Sequence, residues 1–146
     1  MDFSILFEQY DWGSDAYGQA LILRNRLLRR PLGLCLYDEA LGKEKEYLHF
    51  GAFHNRQLIA TLLLIPEADG LYRMKQVATA EAFQKKGIGL GLIQFCEKVL
   101  QEKGASGIVL HARKTAQGFY KKAGYTPIGA GFFEVGIPHQ AMEKRW

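Results

Sequence analysis

Residues 84–91 read Gln-Lys-Lys-Gly-Ile-Gly-Leu-Gly, with glycines at alternate positions directly ahead of an apolar run of helical spacing. This combination suits an anion. Gly87 and Gly89 lack the Cβ that would hold a phosphate away, and the free N–H groups and dipole of a helix start favour negative charge. The amides of Gln84, Lys85, Lys86, Gly87, Ile88, Gly89 and Leu90 can converge into one nest, to which the two lysines add charge. Gly91 allows close packing on a sheet. A nucleoside-triphosphate loop needs Gly-Lys-Ser/Thr after its glycines, whereas Leu90, Gly91 and Leu92 follow Gly89, so that chemistry is excluded. A dinucleotide loop needs GxGxxG tight against a strand and an acid about 20 residues later. Here the spacing is GxGxG, Ala80–Gln84 intervene, and the acid is missing. A glycine-rich helix entry with solvated lysines is the alternative to a phosphate site.

Charge points to the same half of the chain. The net charge is +4, but residues 1–70 hold seven Lys/Arg against ten Asp/Glu, while 71–146 hold twelve against five. An anionic ligand, nucleic acid or a phosphorylated cofactor, would be drawn to the C-terminal half; a solvated basic face is the alternative. For nucleic acid, a recognition motif and an aromatic stacking array are lacking. Cys35 and Cys96 lie far apart without CxxC spacing, which fits reduced thiols in the cytoplasm and neither a disulfide framework nor a metal site. The opening MDFSILFEQYDW carries acids where a signal peptide carries bases, so no export is expected. The apolar run Leu58–Ile65 is less than half of a membrane span and ends at Pro66, so no membrane insertion is expected.

The elements that must position the loop follow from the hydrophobic pattern. The 146 residues are the size of one ordinary domain. Phe3–Glu8 alternates weakly as a first strand. Ser14 or Asp15 caps a helix running to about Arg30, with Leu21, Leu23, Leu27 and Leu28 as its apolar stripe and Pro31 as its stop. Asp38–Lys45 is polar and about one helical turn long. Tyr47–Phe53, Leu58–Ile65 and Leu71–Thr79 read as three strands of an antiparallel meander. In the third, Tyr72, Met74, Gln76 and Ala78 alternate with Arg73, Lys75, Val77 and Thr79. The period then changes: Ile88, Leu92, Phe95, Cys96, Val99 and Leu100 trace one helical face, and Gly104 stops it. The stretch SGIVLHA is a buried strand reached by a crossover, hence parallel to the strand before the helix. A helix over Lys114–Lys122 and strands over Tyr125–Ile128 and Phe132–Val135 close the chain.

Gln84 to Gly89 fits [Gln/Arg]-x-x-Gly-x-[Gly/Ala], and so resembles the acyl-CoA pyrophosphate loop of the GNAT superfamily of N-acetyltransferases. The segment QVATAEAF before it is similar to the family's strand and loop. HARKTAQGFYKKAGYTPIG is similar to its next block, and FFEVGIPHQAM to a subgroup ending in Ile-Pro-His. The resemblance covers roughly Gly70 to Met142. It implies an α/β (α+β) fold with a mixed, mostly antiparallel central sheet of six to seven strands flanked by helices, in one domain over 1–146.

The resemblance also implies a function and its residues. It implies acetyl-CoA as co-substrate and a primary amine, on a small molecule or a protein, as acceptor, with a homodimer open. The main chain of Val77, Ala78 and Thr79 would bind the pantetheine arm as an added strand binds. Thr79 stands in place of the usual valine, and Ala80–Glu81 lacks the usual proline. Tyr120 matches the family tyrosine beside the CoA sulfur, commonly the general acid. Arg113 stands where many relatives place asparagine, and it or Lys114 would meet a CoA phosphate. Glu134 and His139 are the expected bases bordering the acceptor pocket, ahead of His111, and Trp12, Tyr17 and Arg24 its other wall. Neither cysteine is placed for a covalent intermediate. An acyl-CoA-binding module without efficient turnover is the alternative.

Overall fold

The computed structural model describes residues 4–146. Strands β1 (Ile5–Tyr10), β2 (Leu48–His54), β3 (Gln57–Pro66) and β4 (Leu71–Thr79) pair as an antiparallel meander. The β2–β3 turn is the residue pair Asn55 and Arg56, both at positive φ (49° and 67°), the hand that matches strand twist in a two-residue hairpin. The expected first strand is found two residues later than its pattern suggests, and Phe3 lies outside the described residues. Helix α2 (Ile88–Glu102) crosses over to β5 (Gly107–Arg113), which is parallel to β4. Helix α3 (Gln117–Lys122), β6 (Thr126–Pro127), β7 (Phe132–Glu134) and β8 (Ile137–Arg145) complete the chain. The sheet order is β1-β2-β3-β4-β5-β8-β6, with β7 paired to β8.

The eight strands exceed the expected six to seven because β8 escapes the pattern. Its sequence IPHQAMEKR carries a proline and three charges. It is nonetheless an interior strand, antiparallel to β5 from Gly107↔Arg145 to Arg113↔His139, with β6 on its other edge. Backbone pairing on both edges, rather than apolar alternation, holds it there.

Helices cover both faces. On one face, Ile88, Leu92, Ile93, Cys96 and Leu100 of α2 are buried against Phe50, Leu62, Met74, Ile108 and Leu110, and Tyr120 of α3 joins the same core. Gly91 is needed there, because a Cβ would come 2.7 Å from Cζ of Phe7. On the other face, Ala20 and Leu23 of α1 (Asp15–Arg24) pack on Leu58 and Ala78. Ser14 caps α1 by accepting from the Tyr17 N–H at 3.2 Å. The helix does not run regularly to Arg30. It widens into a π-helical turn over Asn25–Arg29 and tightens into a 3₁₀ turn over Arg30–Leu32, which ends at Gly33 (φ 73°). Buried Asn25 accepts from the Leu36 N–H at 2.8 Å, tying this departure to the following loop.

Two irregularities open the sheet. Gln76 sits at φ 59° in the middle of β4, and the β3 register shifts there, Thr61 facing Ala78 but Leu63 facing Lys75. This is a bulge, and it breaks the expected alternation. Tyr72 and Met74 pack with the α2 core, and so does Val77 beyond the bulge, while Ala78 packs with α1. In addition, β4 and β5 pair only from Leu71↔Gly107 to Met74↔Leu110. Beyond that point Lys75–Thr79 and His111–Arg113 have no partner in each other.

Candidate active site

The parting of β4 from β5 forms the head of a cleft of about 630 Å³. Tyr120 lines it from the α2 face of the sheet. Val77 and Ala112 line it at the parting, and Arg113, His111, Glu134 and His139 from the β5–β8 side. Positions 111 and 113 alternate with Leu110 and Ala112 of the core, and Arg113 is directly opposite His139, so these groups share the face away from α2.

Three of the predicted groups meet as a cluster. His111 Nδ1 lies 3.0 Å from Glu134 Oε1, and His139 Nε2 lies 3.6 Å from Glu134 Oε2. Arg73 Nη1 is 3.2 Å from His111 Nε2. Arginine can only donate, so Nε2 of His111 accepts and its Nδ1–H donates to Glu134. His139 Nδ1 is 2.7 Å from the Ile137 carbonyl, which can only accept. The Nδ1–H is thereby held, and Nε2 is the nitrogen that faces the carboxylate. Phe132 stacks on this ring (6.0 Å, 25°) and helps to bury it. For Glu134, burial acts against ionisation, but the hydrogen bond from His111, with His139 and Lys75 close by, outweighs it and holds the carboxyl below its usual range. A carboxylate beside an imidazole nitrogen can stabilise the imidazolium that forms when that nitrogen accepts a proton.

Tyr120 is buried, and that burial pushes its phenol up to about 12. It therefore stays a neutral donor across the neutral range. Cys96 is buried in the α2 core, where burial raises its thiol well above the ordinary value. Neither it nor exposed Cys35 lines the cleft.

The glycine loop stands apart from this cleft, at the N-terminus of α2. Gly87 occupies the capping position at φ 80°, Lys85 is at φ 61°, and no side chain caps the helix. The first helical bond runs from Gly91 N–H to Gly87 C=O (3.0 Å), so the N–H groups of Ile88, Gly89 and Leu90 have no acceptor within the helix. Gln84 turns its side chain back and donates to the Thr79 carbonyl at 2.9 Å, tying the loop to the end of β4. A Cβ on Gly89 would come 3.4 Å from Cζ of Phe119, whereas one on Gly87 would meet nothing within 4 Å. An anion is matched to such a cradle, and the main chain of Val77 and Thr79, which has no partner on β5, leads from it towards Tyr120.

A second cavity of about 370 Å³ shares Arg29, Glu39, Lys75 and Gln76 with the cleft. Behind it is a buried polar network. Arg24, 1% exposed, donates to both carboxylate oxygens of Glu44 at 2.8 and 2.6 Å, and its Nε is 3.4 Å from Gln76 Oε1. Tyr17 donates to Glu44 Oε1 at 2.7 Å, and the Tyr10 and Thr61 hydroxyls are 2.7 Å apart. His49 Nε2 is 2.7 Å from the Glu44 carbonyl, while its buried Nδ1 has no hydrogen-bond partner. Burial holds the His49 pKa down despite the adjacent Glu44. Tyr17 and Arg24 thus brace the wall from within and do not line either cavity. Trp12 is half-exposed and donates to the Leu41 carbonyl at 3.1 Å. Arg73, Lys75 and Gln76 were not among the predicted site residues. Their strand reads as regular alternation, and only the bulge turns Gln76 to the side of Lys75.

The sequence profile of the acetyltransferase (GNAT) domain matches residues 35–146. The chain belongs to this family. It is accordingly an acyltransferase. The GNAT relative YitI of Bacillus subtilis, an uncharacterised N-acetyltransferase, is 30% identical over 131 residues, 84% of this chain and 87% of its own length. Among solved structures, a candidate N-acetyltransferase from Lactobacillus plantarum superposes with a TM-score of 0.86 at 23% identity, over 97% of each chain. An aminoglycoside 6′-N-acetyltransferase complexed with coenzyme A superposes with a TM-score of 0.81 at 16% identity, over 96% of each chain. The two structural likenesses show the fold.

Proposed function

We propose that the protein transfers the acetyl group of acetyl-CoA directly to a primary amine of a small molecule or a protein. The observation that carries this reading is the parting of β4 and β5, with Tyr120 on one side of the gap and the Glu134–His139 pair on the other. In this reading the amides of residues 84–90 hold the pyrophosphate, with Lys85 and Lys86 adding charge. The main chain of Val77, Ala78 and Thr79 aligns the pantetheine arm, and Arg113 meets a phosphate.

An alkylammonium has a pKa of about 10.4 and must lose a proton before it can attack. His139 Nε2 accepts that proton, directly or through a water, and Glu134 stabilises the resulting imidazolium. The amine lone pair attacks the thioester carbonyl, the C–N bond forms, and the C–S bond breaks. Tyr120 donates to the departing thiolate. Because an ordinary thiol titrates near about 8.5 and this phenol near 12, Tyr120 acts first as a hydrogen-bond donor to the developing charge. The nitrogen loses two protons in all, one to His139 before attack and one after the C–N bond forms; the thiol keeps one, and the other passes from His139 to solvent. No protein nucleophile is required, in keeping with the burial of Cys96.

A thermal-shift comparison of acetyl-CoA, NAD and ATP tests the donor, followed by an amine panel with thiol detection. Acetyl-CoA at 100 times its Kd is expected to add about 2.7 kcal/mol of stability. Stabilisation by NAD without any by acetyl-CoA contradicts the reading.

A further inference from the structure

The wall of the cavity that adjoins the cleft carries more positive than negative side chains. Arg29 and Glu39 pair at its rim (Nη2 to Oε1 3.2 Å), and Glu44 is neutralised from behind by Arg24. Lys43 and Lys75 remain. Both are exposed, both line this cavity, and neither forms an ion pair among the described residues. The remaining wall includes Leu41, Leu63 and Ile65, an apolar surface suited to a short carbon chain. At about 370 Å³ the space is at the small end of ligand pockets, which run roughly from 300 to 1,000 Å³.

We infer that this cavity is the acceptor subsite and that the acceptor is a small primary amine bearing a carboxylate. The inference rests on the acetyl-transfer reading above. The carboxylate lies between Lys43 and Lys75, the carbon chain lies on the apolar wall, and the amine points past the Gln76 bulge towards the parted strands. Lys75 and Gln76 belong to both cavities, so an acceptor seated here reaches the cleft without crossing the fold. A polycation such as an aminoglycoside would bring like charge against both lysines, and the subsite selects against it.

Matched probes test this in the intact protein with acetyl-CoA: ω-amino carboxylates of two to six carbons, the corresponding amides, and diamines of the same lengths. Thiol release gives kcat/KM for each. At low salt, the best carboxylate is expected to exceed its amide by about tenfold and the diamine by more, with the ratio shrinking as added salt screens the lysines. Lys43→Gln combined with Lys75→Gln collapses the carboxylate-to-amide ratio to about one, and Lys43→Glu with Lys75→Glu inverts it. Equal rates for the three classes, a preference for diamines, or no release with any carboxylate overturns the inference. If acetyl-CoA still stabilises the protein in that case, the acetyl-transfer reading stands. Loss of that stabilisation overturns both.

Discussion

The loop at the start of α2 and the wall behind the second cavity are built from opposite materials. The loop is one contiguous stretch, residues 84–91, whose offering is main-chain N–H groups, with exposed Gln84, Lys85 and Lys86 side chains and a glycine at positive φ. The wall is assembled from Tyr10, Tyr17, Arg24, Glu44, His49 and Gln76, contributed by separate segments and joined through buried side chains. A site made of backbone depends on glycine spacing and tolerates exposure. A site made of buried charge depends on every partner being present. Changes in the loop should therefore act on ligand affinity, and changes in the wall on stability first.

The largest expected effect follows from breaking the wall. Arg24→Ala leaves the Glu44 carboxylate without its bidentate partner, and breaking a buried pair in this way costs about 3–5 kcal/mol. Urea unfolding should show that loss, and a change below 1 kcal/mol would mean that the network is not structural. His139→Gln should lower kcat by about 10²-fold or more in a thiol-release assay, with acetyl-CoA binding retained; an unchanged kcat would remove His139 from the base role. A smaller effect comes from the glycine adjoining the loop that serves packing. In Gly91→Ala the added methyl group displaces Phe7, an overpacking cost of about 1–3 kcal/mol. Melting temperature should fall while the acetyl-CoA-induced shift persists; a lost shift would make Gly91 part of the ligand site.

The smallest effect concerns pH. His49 has a folded pKa below its unfolded value of about 6.5, so below that value the unfolded chain takes up a proton that the folded chain refuses. Stability is thus fully present above pH 6.5 and declines as pH falls towards the folded pKa. In His49→Gln the slope of melting temperature between pH 7 and 5.5 should be shallower, and an unchanged slope would locate the acid sensitivity elsewhere.

Legibility in the sequence follows the same division. The β2–β3–β4 meander, the α2 helix and the parallel return to β5 are set by local period and turn residues, and all are present. The loop reads directly, because backbone geometry leaves its mark as glycine spacing. The bulge at Gln76 leaves none, since only pairing with β3 reveals the slipped register, and with it went the facing of Val77 and Ala78. Strand β8 is hidden by Pro138 and its terminal charges, and its place comes from the edges of β5 and β6. Arg24 looks like a surface residue of an amphipathic helix; its burial depends on Glu44, twenty positions away across two turns. Glu134, His139 and Tyr120 were reached by resemblance to a family, and no spacing among them signals the cluster.

Tyr120→Phe in a thiol-release assay, read together with the dissociation constant for CoA, tests the central claim most directly. The account predicts a fall in kcat of about 10²-fold or more with CoA affinity little changed, because the lost hydroxyl meets charge that develops only as the thiolate departs. Turnover equal to the parent protein would contradict it.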